Sequence, residues 1–206
     1  MDNNNIQSVD GELTNKPTIT GTGNAVRVGR YARVSAPIHI HGNSNTVDIA
    51  EGCFFGGWLE IRANGSTVRI GRSSTLSRVL MHIQEGGDIA VGEDCALSTD
   101  IFISTSDMHP AYDIQTGARI NAAESIVIGN HIWVGTRAII LKGSNIGDGS
   151  IIGAASIVTG DIPANAMAAG SPARVRRMGV RWDRNFPPEP AVQPAPTPAA
   201  APLAVG

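Results

Sequence analysis

Residues 104 to 125, STSDMHPAYDIQTGARINAAES, bring Asp107, His109, Tyr112 and Asp113 together in a stretch with no apolar beat. A neutral imidazole titrates near physiological pH and can take a proton from a weak nucleophile as it attacks. Asp107, two residues away, either orients that imidazole or shapes the turn that carries it, and the spacing admits both. The stretch also reads as a surface loop whose histidine is incidental. Trp133 lies downstream in IVIGNHIWVG, between Ile132 and Val134, so its indole points out of a strand whose neighbours point in. His39, His41, His82 and His131 lack the spacing of a metal triad, and no metal is expected. His82, spaced evenly with Ile40, Ile61 and Ile103, is expected to be a partly buried structural histidine.

The elements that must hold such a loop are read from repeats. From Ile128 the aliphatic residues Ile128, Val134, Ile140, Ile146, Ile152 and Val158 recur every six positions, which neither a helix of about 3.6 residues per turn nor a plain strand of period 2 requires. The residues two before each anchor are Ile126, Ile132, Ala138, Ser144, Ser150 and Ser156. Period-2 alternation turns both sets inward, one large and one mostly small, as a narrow core needs. The N-terminal half repeats every 21 residues, with columns Val26/Val47/Val68/Ile89, Val28/Ile49/Ile70/Val91, Val34/Phe55/Leu76/Leu97 and Ile38/Leu59/Leu80/Ile101. Three six-residue strands make a triangular coil, and the longer coils add three residues at a corner such as GNSN, ANGS or EGG. The expectation is a parallel β-solenoid interrupted by a loop at about 104–125.

These sixes resemble the hexapeptide repeat of left-handed β-helix acyltransferases. STSDMHPAYDIQTGARIN followed by IVIGNHIWVG is similar to the sugar and capsular-polysaccharide O-acetyltransferases of that group. The resemblance implies the left hand, a homotrimer with sites between subunits, and direct transfer from acetyl-CoA to a carbohydrate hydroxyl. It implies His109 as the catalytic base and Trp133 completing the site. Thr136, Ala154 and Thr159 would lie along the pantetheine arm, with Arg174 and Arg177 of GSPARVRR near the nucleotide phosphates. Guanidinium forks suit phosphate, although the same arginines also read as a solvated basic patch. Where relatives carry a lysine after the threonine, this chain has Gly160, for which Arg176 or Lys142 would compensate. Asp107 and Tyr112 are candidates for contact with the acceptor. An N-acetyltransferase of an amino sugar or antibiotic, or a non-catalytic β-helix scaffold, are the alternatives; a long histidine-bearing excursion speaks against a pure scaffold.

Composition fits this reading. The 206 residues are 42% hydrophobic but only 4% aromatic, with 24 glycines, so the core is aliphatic and the backbone turns often. A net charge of −2 offers no general attraction to nucleic acid. No apolar run reaches the roughly 20 residues of a membrane span, and MDNNNIQSVD lacks the features of a signal peptide, so a cytoplasmic protein is expected. Cys53 and Cys95 are two repeats apart, about 9–10 Å at strand spacing, too far for a disulfide, and are expected to be free. The solenoid is expected over 1–185, followed by a disordered Pro/Ala-rich tail over 186–206.

Overall fold

A computed structural model of the chain describes residues 3–8 and 10–186. Its strands are short, and every pair is parallel except one at the C-terminal end. They wind into a three-faced solenoid. The first face stacks Asn5–Ser8, Ala25–Val28, Thr46–Ile49, Thr67–Ile70, Ile89–Val91, Ile126–Ile128 and Asn145–Ile146. In the middle coils, Phe54–Arg62, Thr75–Gln84 and Ala96–Ser104 run unbroken from the second face onto the third. Gly57 makes one of these bends possible: its φ is +113°, and a Cβ there would stand 2.2 Å from the Val79 carbonyl oxygen.

Side chains pack as the alternation expects. All six anchors from Ile128 to Val158 are buried, as are the six residues two before them. Ser144 and Ser150 are tolerated inside because their hydroxyls donate to the carbonyls of Val158 and Pro163, at 3.2 and 2.7 Å. Ser156 accepts from the Gly170 N–H. The extra residues of the 21-residue coils lie at the corner between the third and first faces. There Asn24 and Asn45 form a buried ladder, each Oδ1 accepting from the backbone N–H one coil on. Cys53, Ser74 and Cys95 share one column; the Ser74 hydroxyl accepts from the Cys95 N–H, and both thiols are buried and free.

Two expectations of register are corrected. Leu80 does not join Leu59 in the core: Met81 pairs with Leu59 and Ile103, while Leu80 pairs with Trp58 and Phe102 and is 42% exposed. An irregularity between Leu76 and Val79 shifts the pairing by one residue, so Val79 aligns with Ile101 and the 21-residue count fails from Val79 to Gln84, returning where Ile89 pairs with Val68. His82 shifts with it. It aligns with Glu60 and Ser104 on the outer side of the third face, not with the isoleucines, where Ile83 stands. It is still half-buried, and its Nδ1 is the one buried side-chain polar atom without a partner among the described residues.

At the C-terminal end Arg174–Met178 pairs antiparallel with Ala166–Ala169 and so covers the last strand edge of the second face. The chain then returns along the corner between the first and second faces. Among the described residues no helix is long and apolar enough to cross a membrane. The Pro/Ala-rich tail expected to be disordered over 186–206 lies, apart from Phe186, outside the described residues.

Candidate active site

The loop leaves the third face after Ser104 and rejoins the first at Ile126. Its neck is closed by the Glu124 N–H donating to the Thr105 carbonyl at 3.0 Å and by the Thr105 hydroxyl donating to Gly86 O. Farther out it forms a small hairpin, with Tyr112 bridged to Arg119. Asp113 builds the tip, accepting from the N–H groups of Gln115 and Thr116 and from the Thr116 hydroxyl, which hold its carboxyl below the usual range. The Ile114 side chain at that tip is fully exposed.

One side chain that sequence reasoning passed over holds the middle of the loop. Asn121 Nδ2 donates to the His109 carbonyl at 2.9 Å and to Asp107 Oδ2 at 3.1 Å, while its Oδ1 accepts from the Ala111 N–H at 2.7 Å. The backbone on both sides of His109 is therefore fixed, and its imidazole is exposed with no hydrogen-bond partner among the described residues. Asp107 does not orient that ring. Its carboxylate pairs with Lys142 Nζ at 2.6 Å, and the hydrogen bond from Lys142 holds its pKa below the ordinary carboxylate value. Lys142 also donates to Ala122 O and is spent on the loop, so it is not free to replace a phosphate-binding lysine at Gly160. Asp107, Lys142 and Thr159 line one side of a small pocket with Glu124 at the loop's foot. Tyr112 is 58% exposed, and its hydroxyl has no hydrogen-bond partner among the described residues.

Trp133 lies on the second face, paired with Ala96 and Ile151, and is 44% exposed. The chain does not bring it to His109; each lines a different part of the surface. Thr136 and Ala154 occupy successive turns at the corner between the second and third faces, where the Ala155 N–H donates to Thr136 O. Thr136 is anchored there by its hydroxyl on Thr99 O. Gly135 lets these turns close, since a Cβ would lie 2.6 Å from the Ala154 nitrogen. Arg174 and Arg177 are exposed on the terminal hairpin; Arg174 donates to its neighbour Ala173 O. Thus Thr136, Ala154 and Arg174 follow one edge of the prism, whereas Thr159 lies beside the loop on another.

The sequence ARVRRMGVRWDRN reads as a short terminal segment covering the last coil; Arg174–Met178 does cover it, but Trp182 and Arg184 instead turn back along the prism, which nothing periodic announces. Trp182 stacks on His131 at 4.3 Å, and its Nε1 donates to His131 O at 2.7 Å. Arg184 bonds Asp94 Oδ1 and the Cys95 carbonyl, and His131 Nδ1 lies 2.7 Å from Asp94 Oδ2. Burial pushes the Asp94 carboxyl up, but the hydrogen bonds of Arg184 and His131 outweigh it and leave its pKa below the ordinary value.

No family model matches the chain. Its sequence is 33% identical over 144 residues to a polysialic acid O-acetyltransferase of Neisseria meningitidis, covering 68% of this chain and 67% of that one. It is 36% identical over 124 residues to a polysialic acid O-acetyltransferase of Escherichia coli O1:K1, covering 60% of this chain but only 40% of that longer protein. The crystal structure of the polySia-specific acetyltransferase NeuO superposes with a TM-score of 0.76 at 32% identity, covering 91% of this chain and 83% of NeuO. With a matching solenoid along nearly its whole length and these identities, the chain belongs to the hexapeptide-repeat, left-handed β-helix O-acetyltransferases.

Proposed function

We propose that the chain transfers an acetyl group from acetyl-CoA to a hydroxyl of an acidic polysaccharide, with His109 as general base. The observation that carries this is the His109 imidazole, exposed and without a hydrogen-bond partner among the described residues, on a backbone that Asn121 fixes from both sides. A sugar hydroxyl is a poor nucleophile until its proton is removed. The imidazole takes that proton as the oxygen attacks the thioester carbonyl, and the tetrahedral intermediate collapses with release of CoA thiolate, which recovers the proton from the imidazolium. Thr136 and Ala154 suit the pantetheine arm because they leave small-walled surface along one edge beside hydrogen-bonding backbone, and Thr159, beside the loop, would meet the arm from a neighbouring copy. Arg174 and Arg177 are exposed cations at the same end of the prism, suited to the nucleotide phosphates.

A single prism leaves this site incomplete, and the reading includes a homotrimer. The third face carries an outward apolar column, Trp58, Leu80, Phe102, Ile139 and Ile157, in register across five rungs. Such a column, together with the bare Ile114 at the loop tip, suits contact with further copies. His109 from one copy would then face Trp133 and the Thr136–Ala154 edge of the next. An acetyl-CoA donor supports a cytoplasmic reaction. The acidic acceptor follows the polysialic acid of the relatives named above.

The test is chromatographic measurement of CoA released from acetyl-CoA in the presence of polysialic acid, neutral galactosides and amino sugars, using wild type and His109→Ala. Release that needs a glycan hydroxyl and vanishes in the variant is expected. Release unchanged in His109→Ala would contradict the mechanism, and release with amino sugars alone would turn the reading to N-acetylation.

A further inference from the structure

On the second face a trough of about 580 Å³ opens between Trp133 and the returning segment, within the size range of small-molecule sites. Its floor is Ala96 and Ile151, and its far wall is Trp182, whose ring is tilted 45° to Trp133 at 6.4 Å. Trp182 is held from behind by the His131 stack and by the Arg184 guanidinium, 5.5 Å from its ring centroid. Arg184 is itself committed to Asp94 and to backbone carbonyls. Arg181 differs: it is exposed, lines the same trough and has no partner among the described residues. The acidic side chain at the rim, Asp183, accepts from the Asn185 N–H.

We propose that this trough is an acceptor subsite for a carboxylate-bearing sugar ring, with the indoles of Trp133 and Trp182 against its C–H face and Arg181 on its carboxylate. Mostly apolar walls with a single uncommitted guanidinium match a ligand that has one apolar face and one carboxylate, and a sugar acid in a polymer has both. The trough adjoins Trp133, so a ring bound there places a neighbouring unit of the same polymer toward the reacting centre. Because Trp182 is fixed by His131 and Arg184, the subsite is formed before ligand arrives and spends little on ordering. The inference rests on the acetyl-transfer reading for its choice of sugar, and its test does not depend on turnover.

Calorimetric titration with an oligomer of sialic acid, without acetyl-CoA, is run on wild type and Arg181→Gln. Loss of one exposed charge-assisted contact should weaken binding by about tenfold, with the melting temperature unchanged because Arg181 is on the surface. An oligomer whose carboxylates are reduced to alcohols should bind wild type and variant alike, at the variant's weaker level. Trp182→Phe, which keeps an apolar ring but shrinks it, should also weaken binding. Equal affinity of wild type and Arg181→Gln would overturn the proposal, as would no binding to wild type or equally tight binding of polyglutamate. If binding follows the expected pattern but no acetate is transferred, the subsite stands and the acetyl-transfer reading falls.

Discussion

Asn121→Ala is the substitution with the most to say about the loop. It removes two donors, to His109 O and Asp107 Oδ2, and one acceptor, from the Ala111 N–H, all from a half-buried side chain. At about 0.5–1.5 kcal/mol net for each bond, with the lower half favoured by partial exposure, the loop loses about 1.5–3 kcal/mol of local order. None of these bonds reaches the solenoid core, so the change is a local opening and the melting temperature should move little. A base displaced by even about 1 Å costs on the order of a hundredfold, so kcat should fall between about tenfold and a hundredfold. KM for acetyl-CoA should change far less, since Thr136 and Ala154 are anchored elsewhere. Steady-state kinetics joined to hydrogen exchange of amides 105–124 reads both halves. Faster exchange in the loop with unchanged kcat would refute the idea that Asn121 fixes the base, and a collapse of the melting temperature would show that the loop supports the fold itself.

The corrected register makes an ordered pair of expectations: Met81→Ala, which opens a cavity inside the prism, should cost about 2–4 kcal/mol in urea unfolding, and Leu80→Ala, which opens none there, should cost less. The reverse order would restore the simple 21-residue column. Cys53 and Cys95 should resist a thiol dye at mildly alkaline pH in the native protein and react in denaturant, because burial raises both and pushes Cys95 to about 11. Rapid labelling of the folded chain would contradict their placement. Burial, with a smaller push from Arg62 and against the pull of Glu60, holds His82 below its ordinary 6.5. The unfolded chain therefore binds more protons as pH falls, and the stability His82 contributes above about 6.5 is lost as pH drops through and below that value. Unfolding at a series of pH values should show this slope in wild type and a shallower one in His82→Gln, and equal slopes would count against it.

The solenoid was legible because its core obeys one-dimensional rules. A column such as Val26, Val47, Val68 and Ile89 repeats in sequence because its members stack in space. That same logic failed at Leu80 and His82, where one inserted residue near Arg78 shifts the rest of that strand before the count recovers at Ile89, and no residue type marks the place. Loop 104–125 stood out as a break in the period, and His109 as its titratable group. What holds His109 did not, since an asparagine among turn formers says nothing of which carbonyls it will meet. Asp107 illustrates the limit: its place two residues from His109 admits an orienting carboxylate or a turn former, and only the fold shows Lys142, far along the chain, taking its carboxylate. The returning segment depends on contacts between residues tens of positions apart, such as Arg184 with Asp94 and Trp182 with His131, which only the folded chain discloses.

The central claim is that the acetyl-transfer site is assembled from two copies, with His109 from one and Trp133 from the next. Subunit mixing tests it most directly. Protomers carrying His109→Ala and protomers carrying Trp133→Ala, each expected to be nearly inactive alone, are unfolded and refolded together in equal amounts. Random trimers should regain about a quarter of the wild-type rate, the fraction of interfaces that pair an intact His109 with an intact Trp133. Mixed trimers that form but stay as inactive as their parents would contradict the shared site and place both residues' work within one chain.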